Sequence, residues 1–256
     1  MGTEEFVQVK GNSRRYVWLF GEALIIVLGV LIALAVDRAI QRVDQDAFEM
    51  TLIEGLLRDF QGADSVLVEA RSWSLLRDEM GRELLAVLEG ETSTDLEARS
   101  LAAAIEFSPL QYPLVIPRDT WDDLVGTGEL GAITNPDVRR AVSRFYRGVE
   151  MAELYYDERA SLTAPFSSDV RLILPARTRL AMYEALLRGD ITLTAVAADE
   201  VPPLDELLSR VRGWPNLEGH LSDVLIGTTA GAILFADLRA EVETAIRILE
   251  AELDAS

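Results

Sequence analysis

Residues 17–36, VWLFGEALIIVLGVLIALAV, constrain this chain more than any other stretch. They are 20 residues with a single charge, Glu22. As a helix rising about 1.5 Å per residue they match the roughly 30 Å hydrocarbon core of a bilayer. A chain with such a run near its N-terminus is expected to be anchored in a membrane, with the rest folding on one side. The expected division is a leader at 1–16, a transmembrane helix at 17–36 and an acidic helical domain at 37–256.

Charge around the run sets the expected orientation. Lys10, Arg14 and Arg15 precede it, whereas Arg38 and Arg42 follow it among Asp37, Asp44 and Asp46. The Lys/Arg excess of one points the N-terminus inward. Tyr16 and Trp18 then fall in the aromatic belt of the inner interface. For a bacterial inner membrane this places the leader in the cytoplasm and the large domain in the periplasm. A rival reading is a cleaved signal peptide. Ser13-Arg14-Arg15 resembles a twin-arginine start, and Ala33-Leu34-Ala35 is a small-x-small site. Against it, the run is longer than a signal h-region and holds Glu22.

The apolar run has no helix breaker at its end. Stepping by four and three from Glu22 gives Ile26, Gly29, Ala33, Val36, Ile40, Val43, Ala47 and Met50. Beyond the membrane, at 37–46, Ala39 is the only apolar residue off this stripe. A 3.5-residue period favours left-handed helix pairing, so a helix leaving the bilayer to pack on a copy of itself or a partner is one expectation. An amphipathic helix folded on its own domain is the other. Within the bilayer, Gly29 and Ala33 form a small-x-x-x-small pair on the same face as Glu22, which permits close helix approach. Glu22 itself, about five residues into the span, either meets another helix, snorkels to the interface or carries protons.

The first 36 residues are neutral, so 21 basic and 40 acidic residues give the domain the whole net charge of -19. That excess argues against nucleic acid and against a domain lying on anionic lipid. With no cysteine, disulfides, thiolate metal sites and thiol catalysis are excluded. With one histidine, His220, triads and multi-histidine metal sites would need a second chain. The expectation is no catalytic residue, no metal and no cofactor. His220 reads as a satisfied or solvated residue, and the pairs Asp122-Asp123, Asp157-Glu158 and Asp199-Glu200 as solvated faces or turns.

The rest reads as helices. Apolar residues at Leu52, Leu56, Phe60, Leu67, Leu75, Leu76, Leu84, Leu85 and Leu88 extend the first helix, with Gly55, Gly62 and Gly81 as possible kinks and Gly90 as its stop. Ser93 or Thr94 is expected to cap a helix ending at Phe107, with Asp95 and Glu97 in its first turn. Three prolines at 108–118 predict an extended segment, packing through Leu110, Tyr112, Leu114 and Ile116. Asp119 is expected to cap a short helix stopped at Gly126 or Gly128. Asn135-Pro136-Asp137 opens a helix expected to run to about Leu162, where Ala164-Pro165 breaks it. Its apolar face uses Val138, Val142, Phe145, Val149, Ala152 and Tyr156. Helices at about 177–188 and 204–211 are separated by a loop over 189–203. A turn at 213–216 precedes a last helix at about 217–253. Its uncharged run at 224–236 is too short to span a bilayer and reads as a central buried helix, with Gly227 and Gly231 allowing a close neighbour.

Two stretches carry a family resemblance. One is Tyr16-Val-Trp-Leu-Phe-Gly-Glu at the head of the run that ends at Asp37; the other runs from Trp121 to Arg140 and on to Phe145-Tyr146, with Leu124-x-x-x-Gly128-x-Leu130 before a helix. The chain resembles a family of bacterial single-pass membrane proteins without an assigned activity. Such proteins often carry a Trp just after the anchor, where this chain has Ala39. The resemblance implies the same topology and carries no site residue over.

The expected fold is all-α: an N-terminal transmembrane helix continuing into a long helix, followed by an irregular helical bundle. The expected function is a non-enzymatic, membrane-anchored interaction protein, either a homo-oligomer or an accessory subunit of a larger membrane complex. Its partners would be membrane lipid and itself or other membrane subunits, met through Glu22, Ile26, Gly29, Ala33, Val36, Ile40 and Val43. The alternative is a ligand-sensing periplasmic domain that signals through a partner, since the 16-residue leader is too short for an output domain.

Overall fold

The computed structural model describes residues 13–91, 96–190, 193 and 195–255, with side chains from residue 28 onward. Its regular structure is all helical, with no strand among the described residues. The helices are α1 (Ser13–Leu88), α2 (Ala98–Phe107), α3 (Asp119–Thr127), α4 (Pro136–Ile173), α5 (Ala176–Leu187), α6 (Leu204–Arg212) and α7 (Leu217–Ala255). Short 3₁₀ turns occupy Glu129–Ala132 and Ala198–Glu200. The chain forms two compact units, Met1–Leu52 and Ile53–Ser256.

In the first unit, every side chain over 28–48 is exposed. Nine of these are large and apolar: Leu28, Val30, Leu31, Ile32, Leu34, Val36, Ile40, Val43 and Phe48.

In the second unit, α1 buries Ile53, Leu56, Phe60, Ala63, Leu67, Ala70, Ser74, Arg77, Gly81 and Leu84. The steps alternate three and four, so one narrow face points inward over nine turns. Leu75, expected on that face, is 50% exposed, and Ser74 and Arg77 take the buried places. The apolar set alternates Leu75 and Leu76 ambiguously; the 3.5-residue phase of the whole seam decides it. None of the three expected kink glycines interrupts α1. A Cβ on Gly55 would stand 2.8 Å from Thr120 Oγ1, and one on Gly81 2.7 Å from Leu225 Cδ2. These glycines mark close neighbours rather than bends. The helix ends in a left-handed Gly90 at φ +90°, with Gly90 N–H bonded to Val87 O (3.2 Å) and Glu91 N–H to Ala86 O (2.8 Å). This is the paired closure that satisfies a helix's last carbonyls.

Two apolar regions flank the seam. Near its start, Phe60 meets Phe145 at 4.8 Å and Tyr146 at 5.6 Å between ring centroids, and Trp121 stacks on Tyr146 at 4.9 Å. Near its end, Leu84 and Val87 join Leu101, Ile105, Phe107, Phe166, Val170, Met182, Leu207, Leu221 and Val224. Each such side chain contributes about 1.5–3 kcal/mol on full burial. α4 and α7 pack side by side, linked by Arg144–Glu241 at 2.9 Å and His220–Asp169 at 2.7 Å. Arg239 joins α7 to Asp64 on α1 at 2.8 Å.

α7 is the one helix among the described residues long and apolar enough to cross a bilayer. It buries a single stripe, including Leu221, Val224, Thr228, Gly231, Phe235 and Leu238. It is not buried all round as expected, because Ile226 and Ile233 are 52% and 59% exposed. At Gly227 and Gly231 an added Cβ would stand 3.6 Å from Arg159 Cδ and from Ser74 Oγ, ordinary contact distances, so, contrary to expectation, neither position needs a glycine for a close neighbour.

Three boundaries differ from the sequence reading. α2 starts at Ala98 with Glu97 as a cap that makes no side-chain bond; residues 92–95, and so Ser93, Thr94 and Asp95, lie outside the described residues. α3 starts with Asp119 inside it and Arg118 at its cap, while Asp59 Oδ2 on α1 accepts the Thr120 N–H at 2.9 Å. α4 passes through Pro165 to Ile173. Beyond the proline it buries Phe166, Val170 and Ile173 completely, and that burial outweighs the lost hydrogen bond. Pro165 itself is exposed. Pro165→Ala should therefore restore a helical bond without loss of packing and raise stability by about 1–2 kcal/mol, or roughly 2–8 °C in Tm. A thermal melt of the variant checks this; an unchanged or lower Tm contradicts it.

Candidate functional site

Of the residues expected to form the membrane stripe, Gly29, Ala33, Val36, Ile40 and Val43 have described side-chain positions. All are exposed, Val36 by 53%, Ile40 by 56% and Val43 by 66%. A Cβ added at Gly29 would meet nothing within 4 Å. Glu22, Ile26, Tyr16 and Trp18 lie on the helical backbone of α1 but outside the described side chains.

The second unit holds a site that sequence reasoning missed. It begins where the α1 seam turns polar, at Ser74 and Arg77. The segment 108–118 runs beside it without helix or strand, because its prolines forbid a regular backbone ladder. Its carbonyls are satisfied by side chains instead. Arg77 Nε donates to Ser108 O at 2.8 Å and Trp73 Nε1 to Leu110 O at 2.8 Å. Tyr146 Oη donates to Pro117 O at 3.3 Å, and Tyr112 Oη to Glu69 at 2.6 Å. The expected packing of this segment holds at Ile116, which is buried, with Leu110, Tyr112 and Leu114 half-buried.

Arg77 is 5% exposed, and burial pushes its guanidinium down to about 10, still charged at neutral pH. Around it lie Ser74, Gln111, Tyr155, Tyr156 and Arg159, enclosing a chamber of about 10 Å³, room for about one water. The Tyr155 hydroxyl is buried with no hydrogen-bond partner, and the Arg159 guanidinium stands 5.3 Å from the Tyr155 ring centroid. Burial pushes the Tyr156 hydroxyl up to about 12, so it remains protonated.

Gln111 and Thr163 also line a larger cavity of about 380 Å³ bounded by Pro109, Leu110, Val170, Arg171, Arg179 and Tyr183. Glu106, on the last turn of α2, is its single carboxylate. Arg179 clasps it through Nε (2.7 Å) and Nη2 (2.8 Å), the bidentate arrangement that a planar guanidinium favours. The bond to Glu106 raises the Arg179 guanidinium, and burial followed by the Glu106 charge raises the Tyr183 hydroxyl. The Thr163 hydroxyl donates to Arg159 O, and that of Ser167 to Thr163 O. The walls thus present donors: arginines, tyrosine hydroxyls and an amide. His220 is paired with Asp169 and does not line this cavity. No group of three or more His, Asp or Glu suited to a metal occurs among the described residues.

Neither family models, nor curated proteins, nor solved structures match the chain.

The Glu106 side chain is 1% exposed and that of Arg179 25%, so the pair is asymmetric. Arg179→Met strands a buried carboxylate and should cost about 2–4 kcal/mol. Glu106→Gln leaves an arginine able to reach water and should cost about 1–2 kcal/mol. The double change Glu106→Gln with Arg179→Met should recover much of the larger loss, which urea titration of the four proteins measures. Additive losses contradict the pairing.

Proposed function

We propose that the chain is a single-pass protein of a bacterial inner membrane that acts by contact rather than by catalysis. Its N-terminus lies in the cytoplasm and its acidic helical domain in the periplasm. It works as a homo-oligomer or as an accessory subunit of a larger membrane complex.

The observation that carries this reading is the exposure of nine large apolar side chains on one helix over 28–48. A contiguous apolar surface of that kind calls for lipid or a protein partner. Residues 28–36 complete the apolar run that starts at Val17, and lipid accounts for them. Ile40 and Val43 stand among Asp37, Arg38, Gln41, Arg42, Asp44 and Asp46, past the end of the run, so lipid does not account for these two. A second helix does, on the stripe that includes Gly29 and Ala33. The open space at Gly29 fits this: nothing among the described residues requires a glycine there, whereas close approach of another membrane helix does. Glu22 falls on the same stripe by its spacing. The resemblance to bacterial single-pass membrane proteins agrees with this topology.

The absence of cysteine makes single-cysteine tests clean. Ile40→Cys and Val43→Cys should crosslink under mild oxidation in membranes, and Gln41→Cys and Asp44→Cys should not. Glu22→Leu and Gly29→Leu should reduce that crosslinking and lower the native mass in detergent. Equal crosslinking at all four positions, with a mass unchanged by both anchor variants, would refute an assembly stripe.

A further inference from the structure

The cavity beside Arg77 runs against the charge of its own domain. Acidic residues outnumber basic ones 40 to 21 after residue 36, yet the walls around Arg77 carry two arginines and no carboxylate. Among the described residues, neither Arg77 nor Arg159 forms an ion pair, and Arg171 on the outer wall forms none. Arg77, 5% exposed, uses Nε to hold Ser108 O and faces no carboxylate in the chamber wall. The Tyr155 hydroxyl, buried and unpartnered, is a donor without an acceptor in the same chamber. Buried donors left unpaired are costly, and a buried cation without a counter-ion more so.

We propose that this cavity binds a small organic carboxylate, with its head group on Arg77, Arg159 and Tyr155 and its body in the adjoining space of about 380 Å³. The terminal edge of a guanidinium is planar and matches a carboxylate through two parallel hydrogen bonds. The outer walls at Pro109, Leu110, Val170 and Tyr183 give an apolar and aromatic bed for the carbon skeleton. The chamber at Arg77 is narrow, so the head group enters by displacing the Gln111 amide, which makes no hydrogen bond among the described residues and borders both spaces. A singly charged planar head fits this geometry better than a tetrahedral dianion. The site is independent of how the anchor assembles.

The test is calorimetric titration of the full chain in detergent with sodium benzoate, with sodium acetate and inorganic phosphate as comparators. Benzoate should saturate one site per chain with a Kd of about 1 mM or tighter. Arg159→Gln and Tyr155→Phe should each weaken it by about tenfold without lowering Tm, because neither side chain makes a hydrogen bond among the described residues and Tyr155→Phe removes an unpaired buried hydroxyl. Failure of both carboxylates to saturate, wild-type affinity in both variants, or tighter binding of phosphate than of benzoate would each overturn the proposal.

Discussion

Everything in the second unit rests on the burial of one face of α1. From Ile53 to Leu84 that face is a seam with alternating steps of three and four residues, and each neighbouring element has a place along it. Thr120 and Pro117 lie where Gly55 and Gly62 leave room, and Leu225 of α7 lies where Gly81 does. The aromatic group around Phe60 and the apolar cluster around Leu84 occupy its two ends. Between them the seam changes chemistry at Ser74 and Arg77. A polar pair on an inward face has to be compensated: Ser74 bonds the Tyr156 hydroxyl, and Arg77 donates to the Ser108 carbonyl of the proline-rich segment at 108–118. The cavity follows from that polar interruption: side chains that must hold the segment's backbone cannot also close-pack the space beside it.

The two units answer opposite physical demands. In the second, the large apolar side chains are mostly buried, and the charges lie mostly outside, with Asp59, Arg77 and Glu106 as buried exceptions. In the first, all described side chains over 28–48 are exposed, apolar and charged alike. The chemistry along that part of α1 divides into a continuous apolar run and then a polar stretch interrupted by Ile40 and Val43. A role in contact, first with lipid and then with another helix, gives one explanation for both parts.

The sequence was most informative where a signal is local. The Asn135-Pro136 start of α4, whose Asn135 Oδ1 accepts the Asp137 N–H at 2.8 Å, the Gly90 stop, and the α5, α6 and α7 boundaries all depend on nearby residues. It misled where distant packing decides. Pro165 reads as a break, but the buried Phe166, Val170 and Ile173 carry α4 past it. Leu75 looks like a core residue, but the phase of the seam puts Ser74 inside. The cavity could not be read in advance, since Arg77, Glu106, Tyr155 and Arg179 are scattered over a hundred residues and meet only through tertiary packing. One clue was present. Arg77 falls on the 3.5-residue continuation of the apolar seam, and a cation in that register asks for buried partners.

The central claim, that the exposed part of α1 is membrane-embedded at first and helix-paired after it, is tested most directly by a single-cysteine scan over residues 28–48 in intact membranes with a water-soluble maleimide. Positions 28–36 should resist labelling. From 37 to 46, label should return at Arg38, Gln41, Arg42, Asp44 and Asp46 and remain low at Ile40 and Val43. Labelling across 28–36, or uniform labelling from 37 onward with no protection at Ile40 and Val43, would contradict it.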